Sequence, residues 1–190
     1  MAYILGYLFA EGNINISKNR GHRKALQVES KDREILSLIN KELGKNLPPR
    51  YRKRIRNDRK TKTQESFYIT ICSQKIVDDL IKHGLAAGKK SAKIKLPLMP
   101  EKYVKDFTKG YFDGDGSAYT INDRTKYKNK TYSYPRHFVH FTSKSLNFLK
   151  ELNSRLNLLG KIYSHSEESN AYILRFSREI WNRKIRISLE

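Results

Sequence analysis

The chain has 190 residues, and its 39 lysines and arginines outnumber its 19 acidic residues, which gives a formal net charge of +20. Self-repulsion at such a charge destabilises a compact protein, so we expect a polyanion as the partner. The sequence contains no apolar run of membrane length and no long basic amphipathic helix, which favours a nucleic acid over a membrane surface. At this length the chain can bury a core as one domain or as two small fused ones.

The cysteine content limits the chemistry further. The one cysteine, Cys72, excludes an internal disulfide framework and a cysteine-rich zinc site. Cys72 ends an apolar run that begins at Tyr68, so we predict a buried structural thiol. No secretory signal is visible, because charged residues and a Gly-Asn pair follow the first apolar stretch at once. We therefore expect a soluble intracellular protein, in the cytoplasm of a prokaryote or in an organelle.

Hydrophobic periodicity and capping residues predict a regular succession of elements in the first half. Residues 3–11 form an apolar stretch that predicts a short buried helix, which Gly12 ends. Ser30 is the predicted N-cap of the next helix, and Ser73 is that of the one after it. In chain order the prediction is a helix over 3–11, a hairpin over 13–17 and 23–29, a helix from Ser30 to Gly44, a hairpin over 50–56 and 66–72, and a helix from Ser73 to Gly84.

The second half repeats this order. Residues 4–12, ILGYLFAEG, return as residues 108–116, TKGYFDGDG, at an offset of 104 positions. The second half has a longer first hairpin, and we predict a basic and aromatic loop over 123–134 within it. Further matches between the halves are Tyr68 with Tyr172 and Ser73 with Ser177 at the same offset, and Ser30 with Ser143 and Lys31 with Lys144 at an offset of 113.

Each half is therefore predicted to be a helix–strand–strand–helix–strand–strand–helix unit, αββαββα, in the α+β class. We place the N-terminal half-domain at residues 1–88, a stiff linker with two prolines at 89–100, and the C-terminal half-domain at 101–190. With only two copies, the chain is a tandem pseudo-repeat and not a solenoid. The economical arrangement packs the two motif helices on each other as a pseudo-twofold pair. We predict in addition that the antiparallel sheets of the two halves form a curved saddle.

Small residues recur one turn apart in both copies of the motif. Gly6 and Ala10 lie on one face of the first motif helix, and Gly110 and Gly114 lie on the same face of the second. Helices without side chains at the contact can approach closer than the usual distance of about 8–10 Å. We therefore predict that these four residues form a seam between the two motif helices.

Such a seam brings Glu11 and Asp115 together at the C-termini of the helices. The helix dipole is already negative there, by about half a charge per helix, so two carboxylates require a cation. Carboxylate oxygens without neighbouring cysteine or histidine favour a hard ion, Mg²⁺ in the cell. Such an ion can activate water and stabilise a leaving 3′ oxygen on phosphate. Asp113 corresponds to Phe9 in the first copy, so we predict that Asp113 has a structural role or supports the metal ligands from behind.

The paired motif resembles the signature of the LAGLIDADG homing endonucleases, in their single-chain form with two motifs, and the resemblance covers nearly the whole chain. It implies that Glu11 and Asp115, the last acids of the motifs, are catalytic metal ligands. Backbone carbonyls near Ala10 and Gly114 would be further metal ligands. Mg²⁺ is the implied cofactor, and Mn²⁺ or Ca²⁺ would substitute for it in binding.

The same family places polar or basic residues near the scissile phosphates, at the end of the second strand of each half. Ser30 and Lys31 occupy this position in the first half, and Ser143 and Lys144 occupy it in the second. The resemblance therefore implies a catalytic role for Lys31 and Lys144. The glutamine that is common at this position is absent here.

Basic residues on the predicted strands give an independent indication of nucleic-acid binding. A two-stranded ribbon fits the major groove, where arginine can read guanine, whereas lysines at loop tips more plausibly hold phosphates. The histidines have no zinc-ligand spacing with cysteines, so we interpret them as DNA-contacting or surface residues. The predicted DNA-binding residues are Lys18, Arg20, Arg23, Lys24, Arg50, Arg52, Lys53, Arg54, Arg56, Arg59, Arg124, Lys126, Lys128, Lys130, Arg136, His137 and His140.

These observations predict a monomeric, site-specific endonuclease that cleaves both strands of DNA at a long, roughly pseudo-palindromic site. The resemblance implies cleavage across the minor groove with short 3′ overhangs, and a coding sequence within an intron or an intein. Two other functions of the same fold remain open: an intron maturase that binds RNA, and a DNA-binding regulator without cleavage. A ribosomal or chromatin-like basic protein is compatible with the charge but leaves the paired acids unexplained.

Overall fold

The computed structural model describes residues 1–17, 23–55, 63–87, 92–128, 130–165 and 170–185. The first half contains α1 (Ala2–Glu11), β1 (Gly12–Ser17), β2 (Arg23–Ser30), α2 (Arg33–Glu42), β3 (Arg50–Ile55), β4 (Thr63–Ile71) and α3 (Gln74–Lys82). After a 3₁₀ turn (Glu101–Tyr103), the second half contains α4 (Val104–Asp115), β5 (Gly116–Tyr127), β6 (Lys130–Ser143), α5 (Leu146–Leu156), β7 (Lys161–Ser164), β8 (Tyr172–Ser177) and α6 (Arg178–Lys184). The predicted αββαββα repeat and the α+β class are confirmed.

Each half folds its four strands into one antiparallel sheet. The strand order is β1-β2-β4-β3 in the first sheet and β5-β6-β8-β7 in the second. One face of each sheet, the core face, packs against the helices; it carries buried Leu26, Val28, Ile69 and Ile71 in the first sheet and Val139, Phe141, Leu174 and Phe176 in the second. The opposite face, the open face, carries the alternate residues of the same strands. In the described ranges, no helix combines the length and the apolar character needed to cross a membrane.

The motif helices α1 and α4 lie at the centre of the molecule. Phe9 of α1 meets Phe107 of α4 edge to face, with ring centroids 5.3 Å apart. Phe107 and Tyr111 then pack on Phe148 of α5, at centroid distances of 6.4 and 4.8 Å. One apolar core therefore continues through both halves. The predicted boundaries at 1–88, 89–100 and 101–190 stay a prediction, since residues 88–91 lie outside the described part of the chain.

The N-cap of α2 lies two residues later than predicted. The prediction of Ser30 is wrong: the cap is Asp32, whose carboxylate accepts a hydrogen bond from the Glu34 N–H at 2.8 Å. A charged carboxylate is the better partner for the positive end of a helix. Ser30 is the last residue of β2, and its hydroxyl accepts from the Asp32 N–H at 3.1 Å. The caps of α3 and α6, Ser73 and Ser177, lie where the sequence predicts them.

The hairpin of β5 and β6 is longer than predicted. The predicted loop over 123–134 is wrong, because Asp123 pairs with Tyr134 and the pairing continues as far as Tyr127 and Lys130. Threonine and tyrosine are frequent in this stretch and favour strands. Proline is tolerated at position 135 because β8 pairs with β6 only from Phe138 onward, which leaves the outer part of β6 at an edge. The paired residues 120–127 and 130–137 form an arm that continues beyond the sheet.

The offset between the two halves changes along the sheets. Ser30 pairs with Phe67 in the first sheet, and Ser143 pairs with Tyr172 in the second, so Phe67 and Tyr172 are equivalent. The predicted equivalence of Tyr68 and Tyr172 is therefore wrong by one residue. Because side chains alternate between the faces of a sheet, this shift assigns every residue of the strand to the opposite face.

The extra residue that changes the offset is Cys72. Ile71 is 1% exposed on the core face, and one residue separates it from Ser73, the cap of α3. In the second half Phe176 is followed at once by Ser177, the cap of α6. Cys72 therefore lies between a strand and a helix cap, where the alternation of side chains directs it away from the core face. It is exposed, so the prediction of a buried thiol is wrong.

Candidate active site and nucleic-acid interface

The helices α1 and α4 contact each other at their small residues, and the contacts are reciprocal. A Cβ atom added to Gly6 would overlap the carbonyl oxygen of Phe107 and lie 2.8 Å from its carbonyl carbon. A Cβ atom added to Gly110 would overlap the carbonyl oxygen of Tyr3 and lie 2.8 Å from its carbonyl carbon. Equivalent residues are 104 positions apart in both contacts, so a local twofold axis relates the two helices.

Ala10 and Gly114 meet on this axis. A Cβ atom added to Gly114 would overlap the Cβ atom of Ala10 and lie 3.3 Å from Cγ of Glu11. The pair therefore has room for one methyl group and not for two. Asp113 accepts a hydrogen bond across the seam from the hydroxyl of Tyr3, at 2.7 Å. This contact agrees with a structural role for Asp113, one of the two roles that the sequence predicts.

Each motif helix passes directly into a strand. α1 ends at Glu11 and α4 ends at Asp115, and the glycines that follow are already extended. A Cβ atom on Gly12 would lie 2.5 Å from the carbonyl oxygen of Leu8. Glycine is therefore required by the close approach of the strand to the end of the helix. This sharp connection leaves both acids at the helix ends, where the first strands of the two sheets begin.

The carboxylates of Glu11 and Asp115 act on one buried group. Tyr111 lies one turn before Asp115 and is 1% exposed, and burial raises the pKa of its hydroxyl well above the usual 10.0. The negative charge of Asp115 raises this pKa further, and so does that of Glu11 from the other half. A Cβ atom on Gly114, the residue before Asp115, would lie 3.3 Å from Cγ of Glu11, so the two acids are neighbours across the seam. Glu11 is partly exposed and Asp115 is exposed, so a ligand can reach both from solvent.

The tyrosines of the two motifs connect the seam to the strand ends. The hydroxyl of Tyr7 donates to Oγ of Ser30 at 2.9 Å, and the hydroxyl of Tyr111 donates to the carbonyl oxygen of Thr142 at 2.8 Å. Ser30 ends β2, and Thr142 is the penultimate residue of β6. Lys31 and Lys144 come directly after these strands and are exposed. Both lysines are thus held at strand ends that are bonded to the motif helices.

The donors at the axis suit a hard divalent ion. Both side-chain donors are carboxylates, and the described residues contain no group of three or more His, Cys, Asp or Glu that could hold a metal. Further ligands would then be backbone carbonyl oxygens or water. Mg²⁺ is commonly bound in this way, by one or two carboxylates while it keeps several waters. The predicted set of Glu11 and Asp115 with backbone oxygens of Ala10 and Gly114 fits this chemistry.

The predicted DNA-binding residues divide between the two sides of the sheets. Strand register assigns Arg23, Arg50, Arg52, Arg54, Lys130, Arg136 and His140 to the open face or to its continuation on the arm. The opposite side carries Lys24, Lys53, Arg124, Lys126 and His137, and Lys128 lies in the turn of the arm. Lys18, Arg20, Arg56 and Arg59 lie outside the described residues.

Three of the residues on the opposite side have polar partners there. Nζ of Lys53 lies 3.4 Å from a carboxylate oxygen of Glu65. Nζ of Lys24 is 2.7 Å from a carboxylate oxygen of Asp78 on α3, so Lys24 belongs to the contact between sheet and helix. Nδ1 of His137 lies 2.8 Å from the hydroxyl of Thr120. His140 has the opposite orientation, on the open face. The sequence could not separate these residues, because the assignment of a face depends on the register.

A comparison with protein families identifies the second half. Residues 108–187 match the profile of the LAGLIDADG endonuclease family. The second half of the chain therefore resembles the LAGLIDADG endonucleases. The first LAGLIDADG motif precedes the matched segment, and the reciprocal contacts of Gly6 and Gly110 make it the structural counterpart of the second. No curated protein matches the chain significantly.

Solved structures with a similar fold include homing endonucleases. The homing endonuclease I-WcaI bound to its DNA recognition sequence is 17% identical, with a TM-score of 0.62 over 97% of this chain and 79% of that one. I-DmoI in complex with DNA and Mn is 16% identical, with a TM-score of 0.55 over 100% and 97%. Meganuclease I-SmaMI bound to uncleaveable DNA is 12% identical, with a TM-score of 0.57 over 98% and 85%. At these identities the likeness shows the fold.

Sequence reasoning missed an acid on the open face of the LAGLIDADG fold. Glu29 accepts hydrogen bonds from Arg52 at 3.2 Å, from Arg54 at 2.9 Å and from the buried hydroxyl of Ser66 at 2.7 Å. The guanidinium of Arg52 also lies 3.9 Å from the ring centroid of Tyr68. The signal in the sequence is a single glutamate in β2, which β4 separates from the basic strand β3. The contact between Glu29 and these arginines could be predicted only if the strand order β2-β4-β3 were known.

Proposed function

We propose that the protein is a site-specific, metal-dependent endonuclease that hydrolyses both strands of duplex DNA. One observation carries this proposal: equivalent acids, Glu11 and Asp115, end the two helices of the seam at a local twofold axis, where the first strands of the two sheets begin. The strands of a duplex are themselves related by local twofold axes. A pair of carboxylates on such an axis can therefore serve one phosphodiester bond on each strand.

The charge and the comparisons support DNA as the substrate. The net charge of +20 favours a polyanion, and residues 108–187 match an endonuclease family. I-WcaI and I-DmoI, which share the fold, are described in complexes with DNA. The long arm of β5 and β6 and the arginines of β3 would extend the contact along the duplex.

Each residue of the site has a task in this proposal. A divalent ion held by the carboxylates of Glu11 and Asp115 would supply Lewis-acid activation of water and of the leaving 3′ oxygen. Tyr7 and Tyr111 fix the strand ends against the motif helices by their hydrogen bonds to Ser30 and Thr142. The exposed ammonium groups that follow those strands, on Lys31 and Lys144, would stabilise negative charge on the phosphate under attack.

We infer further that the protein acts as a soluble intracellular monomer on a long, roughly pseudo-palindromic site. Two half-domains in one chain already supply both acids, which supports action as a monomer. Cleavage across the minor groove with short 3′ overhangs, and a coding sequence within an intron or an intein, follow from the family resemblance. Mg²⁺ is the proposed ion, and Mn²⁺ or Ca²⁺ would support DNA binding.

Cleavage of a plasmid library with randomised duplex inserts tests the proposal. We expect the ends produced by the wild-type protein to share one sequence, with short 3′ overhangs, in the presence of Mg²⁺ and not in EDTA. Glu11→Gln or Asp115→Asn should reduce cleavage at least about a hundredfold, because each removes a charge that stabilises the reaction. Binding of the recovered site, measured by fluorescence anisotropy, should persist in both variants.

Asp113→Asn is the matched control, because this acid lies in the same motif but contacts Tyr3. It should retain cleavage within a few fold. Full activity of Glu11→Gln and Asp115→Asn would refute the site assignment. Specific binding without cleavage by the wild type would identify a DNA-binding regulator, and a preference for RNA over duplex DNA would identify a maturase.

A further inference from the structure

The open faces of the two sheets can be compared residue by residue, because their registers start at equivalent points. The first pairs after the motif helices are Gly12 with Val28 and Gly116 with Phe141. Counting from these pairs, the second pair is Asn13 with Gln27 in the first sheet and Ser117 with His140 in the second. The fourth pair is Asn15 with Ala25 in the first sheet and Tyr119 with Phe138 in the second. Equivalent positions thus carry different chemistry.

The open face of the first sheet is a continuous network of amide and guanidinium groups. The amide of Asn13 donates to Asn15 at 3.1 Å, and the amides of Asn15 and Gln27 lie 3.3 Å apart. The Gln27 amide is in turn 3.2 Å from both terminal nitrogens of Arg52. Arg52 continues the network to Glu29, which also holds Arg54. The network orients these groups across the face from β1 to β3.

The open face of the second sheet is an aromatic cluster around one arginine. The guanidinium of Arg175 lies 5.1 Å from the ring centroid of Phe138 and 4.8 Å from that of Tyr163. It also donates to the hydroxyls of Tyr119 at 3.4 Å and Tyr163 at 3.1 Å. The ring centroids of His140 and Tyr119 lie 5.4 Å apart. Burial lowers the pKa of the His140 imidazole below the usual 6.5. At neutral pH the imidazole is therefore uncharged. Arg175 is the cation at the centre of the cluster, whereas Arg136, whose guanidinium lies 5.2 Å from the ring centroid of Phe138, is held by Asp123 at 2.6 Å.

The two surfaces suit different base edges in the major groove. Arginine binds O6 and N7 of guanine, and asparagine and glutamine bind N6 and N7 of adenine, whereas apolar side chains contact the C5-methyl group of thymine. An oriented set of two arginines and three amides suits purine edges. A surface of aromatic and aliphatic groups suits thymine methyl groups, and Ile173 and Thr142, which pair on β8 and β6, extend that surface.

We propose that the two open faces read half-sites of different chemistry. The first face, with Asn15, Gln27, Arg52 and Arg54, reads purine N7 and O6 atoms in a half-site that contains G·C pairs. The second face, with Phe138, Ile173 and Arg175, reads thymine methyl groups in an A·T-rich half-site. This assignment rests on the proposed function, because it takes duplex DNA as the ligand.

Selection from a randomised duplex library with the Glu11→Gln/Asp115→Asn protein, which should bind without cutting, yields the site for the test. The site is then resynthesised with 7-deazaguanine for each guanine, or with deoxyuridine for each thymine. We expect 7-deazaguanine to weaken binding about ten- to a hundredfold per contacted base in one half only. Deoxyuridine should weaken binding about fourfold per contacted methyl group, in the other half only.

Two substitutions assign the halves to the sheets. In Arg52→Ala, 7-deazaguanine at one position of the G·C-containing half should no longer affect the Kd. In the Ile173→Ala variant, deoxyuridine at one position of the A·T-rich half should no longer affect the Kd. Selected sites whose halves respond equally to both analogues would overturn this inference and leave the proposed function intact. If no duplex sequence is enriched at all, the proposed function fails and this inference fails with it.

Discussion

Glu29 determines how two arginines are presented on the open face of the first sheet. We expect Glu29→Gln to release Arg52 and Arg54 from their carboxylate and to raise the net charge by one. Binding to an unrelated duplex should therefore strengthen, while the ratio between specific and unrelated sites should fall about ten- to a hundredfold, since one oriented arginine–guanine contact is worth about 1–3 kcal/mol. Fluorescence anisotropy with both duplexes measures this ratio.

The variant Glu65→Gln distinguishes the loss of arginine orientation from the change in net charge. Glu65 lies 3.4 Å from Lys53 on the other side of the same sheet, with 57% of its side chain exposed. Its substitution changes the net charge by the same amount but leaves Arg52 and Arg54 in place. It should leave the ratio between the two duplexes unchanged. An equal loss of the ratio in both variants would show that Glu29 acts through its charge alone.

The packing of the two motif helices requires one methyl group, and no more, where Ala10 and Gly114 meet on the local twofold axis. We expect Gly114→Ala to destabilise the protein by about 1–3 kcal/mol, because its Cβ atom would overlap that of Ala10. The exchange Ala10→Gly/Gly114→Ala should recover most of this loss, since the methyl group then comes from the other helix. Urea unfolding of the two single variants and the double variant measures the coupling.

Gly6→Ala provides the contrast for this experiment. Its Cβ atom would overlap a backbone oxygen, that of Phe107, which no side-chain exchange can remove. Gly6→Ala should therefore destabilise at least as strongly as Gly114→Ala, and Ala10→Gly should not rescue it. Additive effects of Ala10→Gly and Gly114→Ala would contradict the axial contact.

The elements that the sequence predicts are those whose signals are local. Hydroxyl caps such as Ser73 and Ser177 and the small residues of the motifs are readable along the chain. The equivalence between β4 and β8 cannot be read along the chain. One inserted residue, Cys72, shifts the alignment of the two strands by one position and so assigns their side chains to the wrong face of the sheet, although the apolar pattern still matches. The cap of α2 was misplaced for a related reason: Ser30 and Asp32 are both good caps, and the extent of β2 decides between them.

At the scale of the molecule, the sequence predicts the repeat and the paired acids but not which basic residues share a surface. Net charge counts all 39 cations alike, whereas the register places those on the described strands on opposite sides of the sheets. Lys24 is bonded to Asp78 beside α3, whereas Arg50 is exposed at the edge strand of the first sheet and shares the open face with Arg52. The electrostatic contribution of a cation to DNA binding should follow this division.

Arg50→Ala and Lys24→Ala test the division, because each lowers the net charge by one. Neutralisation of one phosphate contributes about 0.9 to the slope of log K against log salt. We expect Arg50→Ala to make the slope less steep by about one unit and Lys24→Ala to leave it unchanged. Titrations of one duplex over a range of salt concentrations measure both slopes. Equal changes in the two variants would mean that DNA responds to total charge, and the open faces would lose their assignment as the binding surface.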